Sequence, residues 1–332
     1  MTRYRPTNSI RLIDLPRPCE GQLYAHTIDK VVTALSSHSF VNSVYQVGGV
    51  HHPGISDIDL LVVVDDDATS HADPLGSLTG DERYLFTHSC FLIPVSLALE
   101  LADYALMHGY RRLHGTSWQW ENGSSNSTTA SALRVQTALE FLIKNLLDLY
   151  VQLEYRTVKV RVLLQHVKGL RLDLELLDLR DDSLATVVEQ AVALIDDWFQ
   201  LADAERAVTE LVRDLMPALR RVVADALGRD VLYSPAESTI AFGPNMRIDS
   251  APHLELSRSG LLLPRIPGVA ERRSFNAQHR VNRFLFRLPM TKASSGSYQE
   301  SRFSFLARAK SFASNRFPAY SAPVPPLFYQ EL

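Results

Sequence analysis

Two aspartates separated by one residue, Asp57-Ile58-Asp59, sit directly before an apolar run, Leu60-Leu61-Val62-Val63-Val64. Residues i and i+2 of a strand point to the same face, about 6.7 Å apart, so both carboxylates project side by side. At an effective dielectric of about 20 they repel by about 2.5 kcal/mol. A strand this apolar has little reason to carry that repulsion unless a cation sits between the side chains. Oxygen ligands of this kind suit Mg²⁺, which takes one or two carboxylates together with substrate phosphates. Upstream, Val47-Gly48-Gly49 ends a second apolar segment, and Val50 to Ser56 form a loop between the glycines and the acids. Without Cβ atoms, paired glycines let backbone N–H groups approach phosphate oxygens closely. The bland alternative is a hairpin turn with two surface aspartates; the unbroken apolar run argues for a buried strand instead.

A glycine pair, a short loop and Asp-x-Asp in an apolar strand, here with Ser56 directly before the first aspartate, resembles the DNA polymerase β-like nucleotidyltransferase superfamily. The resemblance is sharp over residues 40–65 and diffuse elsewhere. It implies that Asp57 and Asp59 bind Mg²⁺ or Mn²⁺, and that Gly48, Gly49 and Ser56 contact a nucleoside triphosphate. It also implies a third carboxylate on a neighbouring strand. The next strand candidate, Arg83 to Ile93, offers Thr87, His88 and Ser89 but no acid. Glu100 supplies the third carboxylate if its segment is extended; if that segment is helical, Glu100 and Asp103 form a solvated face. Asp173 and Glu175, in a helical pattern, rank lower. His88 is either a substitute ligand or a packed strand histidine. Three functions follow: nucleotidyl transfer to a small molecule or protein, transfer on nucleic acid including cyclic-dinucleotide synthesis, and nucleotide or partner binding on a catalytically degenerate fold.

The elements that must position these residues form an α+β pattern. Ile28, Val31, Val32 and Leu35 mark a helix from Ala25 to Leu35 with Thr27 at its cap, and Phe40 to Val47 reads as a strand. Residues 7–24 and 68–81 read as irregular, and Asp65-Asp66-Asp67 as a solvated strand exit. The nucleotidyltransferase-like core therefore spans residues 1–114. A small, polar stretch at 115–131 carries Trp118 and Trp120 and reads as a flexible connector, its tryptophans either stacking on a base or anchoring the segment. Residues 132–229 carry four helical patterns and form a bundle. The second pattern bends near Gly169, the third is capped by Asp182 or Ser183, and the fourth holds Pro217 and stops at Gly228.

Residues 230–332 read as short strands followed by an irregular basic, aromatic-rich extension. From Arg272 to Arg316, ten lysines and arginines stand against one acid, Glu300, a local charge of +9 within a chain of net −3. Interleaved phenylalanines make nucleic acid one candidate partner; the other reading is an arm docked through its aromatics. At 332 residues, 46% hydrophobic and 21% charged, the chain suits two domains rather than one core. Nothing at Met1 to Pro6 introduces an export signal, no 18-residue apolar run implies a membrane partner, and two isolated cysteines suit a reducing cytoplasm.

Overall fold

The computed structural model describes residues 10–107, 109–122, 128–243, 245–261, 263, 277–278, 280–323, 326–328 and 332. The fold is mixed α/β with mixed sheets, and among the described residues no helix is long and apolar enough to cross a membrane. The chain divides into two compact units, one comprising Arg17–Thr137 and Ser294–Pro325 with Leu332, the other Met1–Pro16, Ala138–Ala293 and Pro326–Glu331.

The unit carrying the aspartates is built on a four-stranded sheet. Its strands are β2 (Val41–Val47), β3 (Asp59–Val64), β4 (Phe91–Pro94) and β5 (Arg111–Gly115), in the order β4-β3-β2-β5. Strand β3 runs parallel to β4 and antiparallel to β2, which pairs antiparallel with β5. Helix α1 (Gly21–Ser36) lays Tyr24, Ile28, Val31 and Leu35 onto Val44, Leu60, Val62 and Val64 of the sheet. Leu61 and Val63, on the opposite face of β3, are equally buried. Five such side chains, at about 1.5–3 kcal/mol each, outweigh the carboxylate repulsion severalfold, so the strand forms despite it.

Several local expectations change. Helix α1 begins four residues before Ala25, which places Thr27 inside it as a buried residue rather than a cap. The expected strand from Arg83 gives way to α2 (Gly80–Tyr84), because Thr79 and Glu82 form a reciprocal capping box; only Phe91–Pro94 is extended. Asp65, Asp66 and Asp67 are exposed, as a strand exit requires, and Asp66 accepts from the Ser96 amide at the start of α3 (Val95–Ala98). Helix α4 (Leu101–Tyr104) follows, so the Glu100 segment is not extended. Of the connector, residues 123–127 lie outside the described ones. Trp118 donates to Ser43, and Trp120 is buried against Tyr45 and Tyr110, so both tryptophans anchor the segment onto β2.

The second unit holds α5 (Thr128–Glu154, which begins in the first unit), α6 (Val160–Leu176), α7 (Asp182–Asp197) and α8 (Ala204–Arg229), with α7 packed on both α6 and α8. Asp181, not Asp182 or Ser183, caps α7 by accepting from the Leu184 amide. Pro217 lies within α8, which runs through Gly228 to Arg229. Strands β1 (Arg11–Ile13) and β6 (Thr157–Lys159) pair in parallel. A further sheet orders β10 (Glu255–Ser259), β11 (Arg283–Leu288), β9 (Met246–Ser250) and β8 (Thr239–Gly243), and β7 (Tyr233–Ser234) pairs with β12 (Thr291–Lys292).

The C-terminal region is not a single irregular arm. Arg283 and Arg287 lie on β11 of the second unit, whereas Arg302, Arg308, Lys310 and Arg316 lie on a 19-residue helix, α9 (Tyr298–Arg316), of the first. Arg272, Arg273 and Phe275 fall outside the described residues. The helix forms because Ser297 caps it and the Phe303, Phe305, Leu306, Ala309 and Ala313 side chains are buried. Phe284, Phe286 and Phe317 are buried too; the aromatics of this region fill the cores of their own units.

Gly115 ends β5 with φ +80°, and a Cβ there would stand 1.9 Å from the Asn42 carbonyl oxygen. Gly115→Ala is expected to cost about 2 kcal/mol or more, read by urea unfolding. In α6, burial alone lifts the Asp173 carboxyl to about 8. A raised acid stabilises the fold most when protonated, so stability falls as pH rises from about 4 through about 8. Asp173→Asn should remove that slope, its melting temperature overtaking that of the parent over this interval.

Candidate metal centre

The loop between the glycines and the acids is held from below by tyrosines. Tyr24 of α1 donates to the Ser56 carbonyl at 2.8 Å and accepts from the Gly54 amide at 2.9 Å. Tyr84 of α2 donates to the Gly54 carbonyl at 2.7 Å, and the Ile58 amide donates to the Leu85 carbonyl at 2.9 Å. Ser56 Oγ accepts from the His52 amide at 3.1 Å, closing the turn. Helix α2 is itself clamped: Glu82 accepts from Lys30 Nζ at 2.9 Å and from the Thr79 amide at 2.7 Å. Those contacts, led by Lys30, bring the Glu82 carboxyl down to about 2.

Asp59 is the first residue of β3 and stands opposite Val47, so Gly48-Gly49 leave the sheet beside it. Gly48 adopts φ +68°, and the backbone at Gly109 packs against it. The His51 imidazole lies over Gly49.

Asp57, Asp59 and His88 converge: one ligand atom from each lies within 4.8 Å of the others. At that separation two carboxylates repel by about 3.5 kcal/mol at an effective dielectric of about 20. His88 arrives because β3 and β4 run in parallel with Leu61 opposite Phe91, and continuing that register sets the Thr87-His88-Ser89 turn beside Asp59. The turn is tied down by residues after α9, Ser89 donating to the Ala319 carbonyl at 2.5 Å and the Ser321 amide to the Cys90 carbonyl at 2.9 Å. The Thr87 hydroxyl donates to Asp57.

His88 Nδ1 is 2.7 Å from the Ser89 carbonyl. A carbonyl only accepts, so Nδ1 carries a proton, the arrangement that frees Nε2 for a metal. Nε2 lies 2.8 Å from Asp59 Oδ1, an oxygen that is buried and has no well-aligned hydrogen bond. A lone pair on Nε2 would repel that oxygen, so the contact requires a positive charge, either a second proton or a cation. Burial lowers the imidazole pKa, but Asp59, the Ser89 carbonyl and Asp57 outweigh it, and the value ends above the ordinary 6.5. Ligands at right angles on an ion with bonds of about 2.1 Å stand about 3 Å apart, close to the 2.8 Å between Nε2 and Asp59 Oδ1. The residues present fit a divalent ion.

Glu100 is not brought to this cluster. Asp59 opens β3, whereas Glu100 comes six residues beyond the far end of β4, after α3, and pairs with Arg308 at 3.1 Å. Asp173 and Glu175 lie in α6, in the other unit. Thr87, Tyr24 and Tyr84 had no sequence signal of their own; the polar Thr87-His88-Ser89 triplet before an apolar strand was the visible cue to His88. No protein-family model matches this chain, and neither a curated protein nor a solved structure does.

Glu82→Gln should cost stability above pH 4.5, the ordinary value for such a carboxyl. A depressed carboxyl stabilises where it is ionised, so the deficit should shrink as the pH falls towards about 2. Paired thermal melts across that range measure it.

Proposed function

We propose that the chain is a metal-dependent nucleotidyltransferase, moving a nucleoside monophosphate from an NTP to a hydroxyl on a small molecule or protein. The nucleotidyltransferase-like core would be the first unit. The observation that carries the reading is the convergence of Asp57, Asp59 and His88 beside the Gly48 corner, at the open end of a buried strand. A divalent ion held there would lower the pKa of the acceptor hydroxyl and neutralise charge on the triphosphate. Asp57 and Asp59 would supply its carboxylate ligands, and the Gly48-Gly49 amides would offer donors to the phosphate oxygens. The acceptor oxygen bonds the α-phosphorus, the bond to the β-bridging oxygen breaks, pyrophosphate leaves, and the hydroxyl proton passes to solvent.

A second reading, nucleotide binding without turnover, is favoured by one observation: each carboxylate already has a protein partner, Thr87 for Asp57 and His88 for Asp59.

Incubation with each labelled NTP and Mg²⁺ or Mn²⁺, following label into protein, RNA and small molecules, separates the readings. Transfer with release of pyrophosphate is expected, and Asp57→Asn and Asp59→Asn should each reduce it to background while remaining folded by circular dichroism. Full activity in both variants sinks the proposal; NTP binding without pyrophosphate favours the second reading.

A further inference from the structure

The proposed centre has two oxygen donors and one nitrogen, and that composition selects among divalent ions. Mg²⁺ favours oxygen ligands and keeps its waters. Imidazole suits later first-row ions, while carboxylates and water also suit Mn²⁺. His88 is no incidental neighbour, for Nδ1 is anchored on the Ser89 carbonyl and Nε2 faces Asp59 Oδ1 at 2.8 Å. Ser89 is itself fixed to Ala319. No carboxylate competes for the third position, because among the described residues the cluster of potential ligands contains Asp57, Asp59 and His88 alone.

Resting on the metal centre of the preceding reading, we propose that His88 is its third ligand and that it makes the site selective for a first-row transition ion, Mn²⁺, over Mg²⁺. The selectivity resides in one side chain. Replacing it with a carboxylate would create an all-oxygen site and turn the preference back towards Mg²⁺.

The test is direct metal binding to the full chain without nucleotide. Mn²⁺ is titrated and followed by electron paramagnetic resonance, with Mg²⁺ added as competitor. The wild-type protein should bind Mn²⁺ and resist Mg²⁺, and pulsed measurements should show nitrogen coupling to the bound ion. His88→Asp should narrow the Mn²⁺-to-Mg²⁺ affinity ratio by at least about 10-fold, the scale on which altered ligand surroundings act; His88→Ala should weaken Mn²⁺ binding and abolish the nitrogen coupling. Equal affinity for the two ions, or bound Mn²⁺ without nitrogen coupling, overturns the proposal, and the wild-type spectrum decides even if a variant fails to fold. Mn²⁺ bound with nitrogen coupling but no nucleotidyl transfer would remove the transferase reading alone. Transfer supported equally by Mg²⁺, with an unchanged ratio in His88→Asp, would remove the selectivity alone.

Discussion

Strand β3 is buried on both faces, and its burial fixes where its first residue can go. Leu60, Val62 and Val64 meet α1, while Leu61 and Val63 fill the other side. A slip of one residue would turn every side chain to the opposite face. Asp59 is therefore held in register with Val47 and cannot slide away from its charged neighbour. Such rigidity is what a metal site needs, because like charges left on a mobile loop would separate instead of waiting for a cation.

The same logic extends to Asp57, which precedes the strand and lacks its protection. Tyr24 uses its hydroxyl twice, towards Ser56 and from Gly54, and Tyr84 takes the Gly54 carbonyl from the other side. Helix α2 spans only five residues and owes its place to Glu82, which binds both its own cap and Lys30 of α1. Short helices are marginal on their own. The loop's geometry thus rests on a buried-facing ion pair rather than on helix propensity.

Much of this was legible in local pattern. The glycine pair, Asp57 and Asp59, strands β2 and β3, the succession α5 to α8 and the strand exit at Asp65 to Asp67 all follow from spacing and burial preference. Two kinds of information were not. One was competition between nearby signals: Tyr84-Leu85-Phe86 looks extended, yet the Thr79–Glu82 capping box just before it wins. The other was long-range register. Glu100 is the nearest acid downstream of the third strand expected from the sequence, but the parallel pairing of β3 with β4 places the N-terminal approach to β4 beside Asp59 and sends Glu100 past the far end. No local pattern encodes that direction. Nor does it reveal that Ala319 and Ser321, more than 200 residues away in the chain, hold the turn carrying His88.

That distant anchorage bears on how ready the proposed centre is to take a cation. A histidine free to rotate would relieve the close approach of Nε2 to Asp59 by turning away. With Nδ1 tied to Ser89, and Ser89 tied to Ala319, rotation would break a hydrogen bond worth about 1 kcal/mol and disturb the edge of β4. The imidazole is held against the carboxylate by contacts that include no cation. A group held this way has already lost most of the freedom that ligation would take from it, so ion binding costs little further ordering. Ala319 and Ser321, just after α9, hold the third corner of the cluster within the same unit.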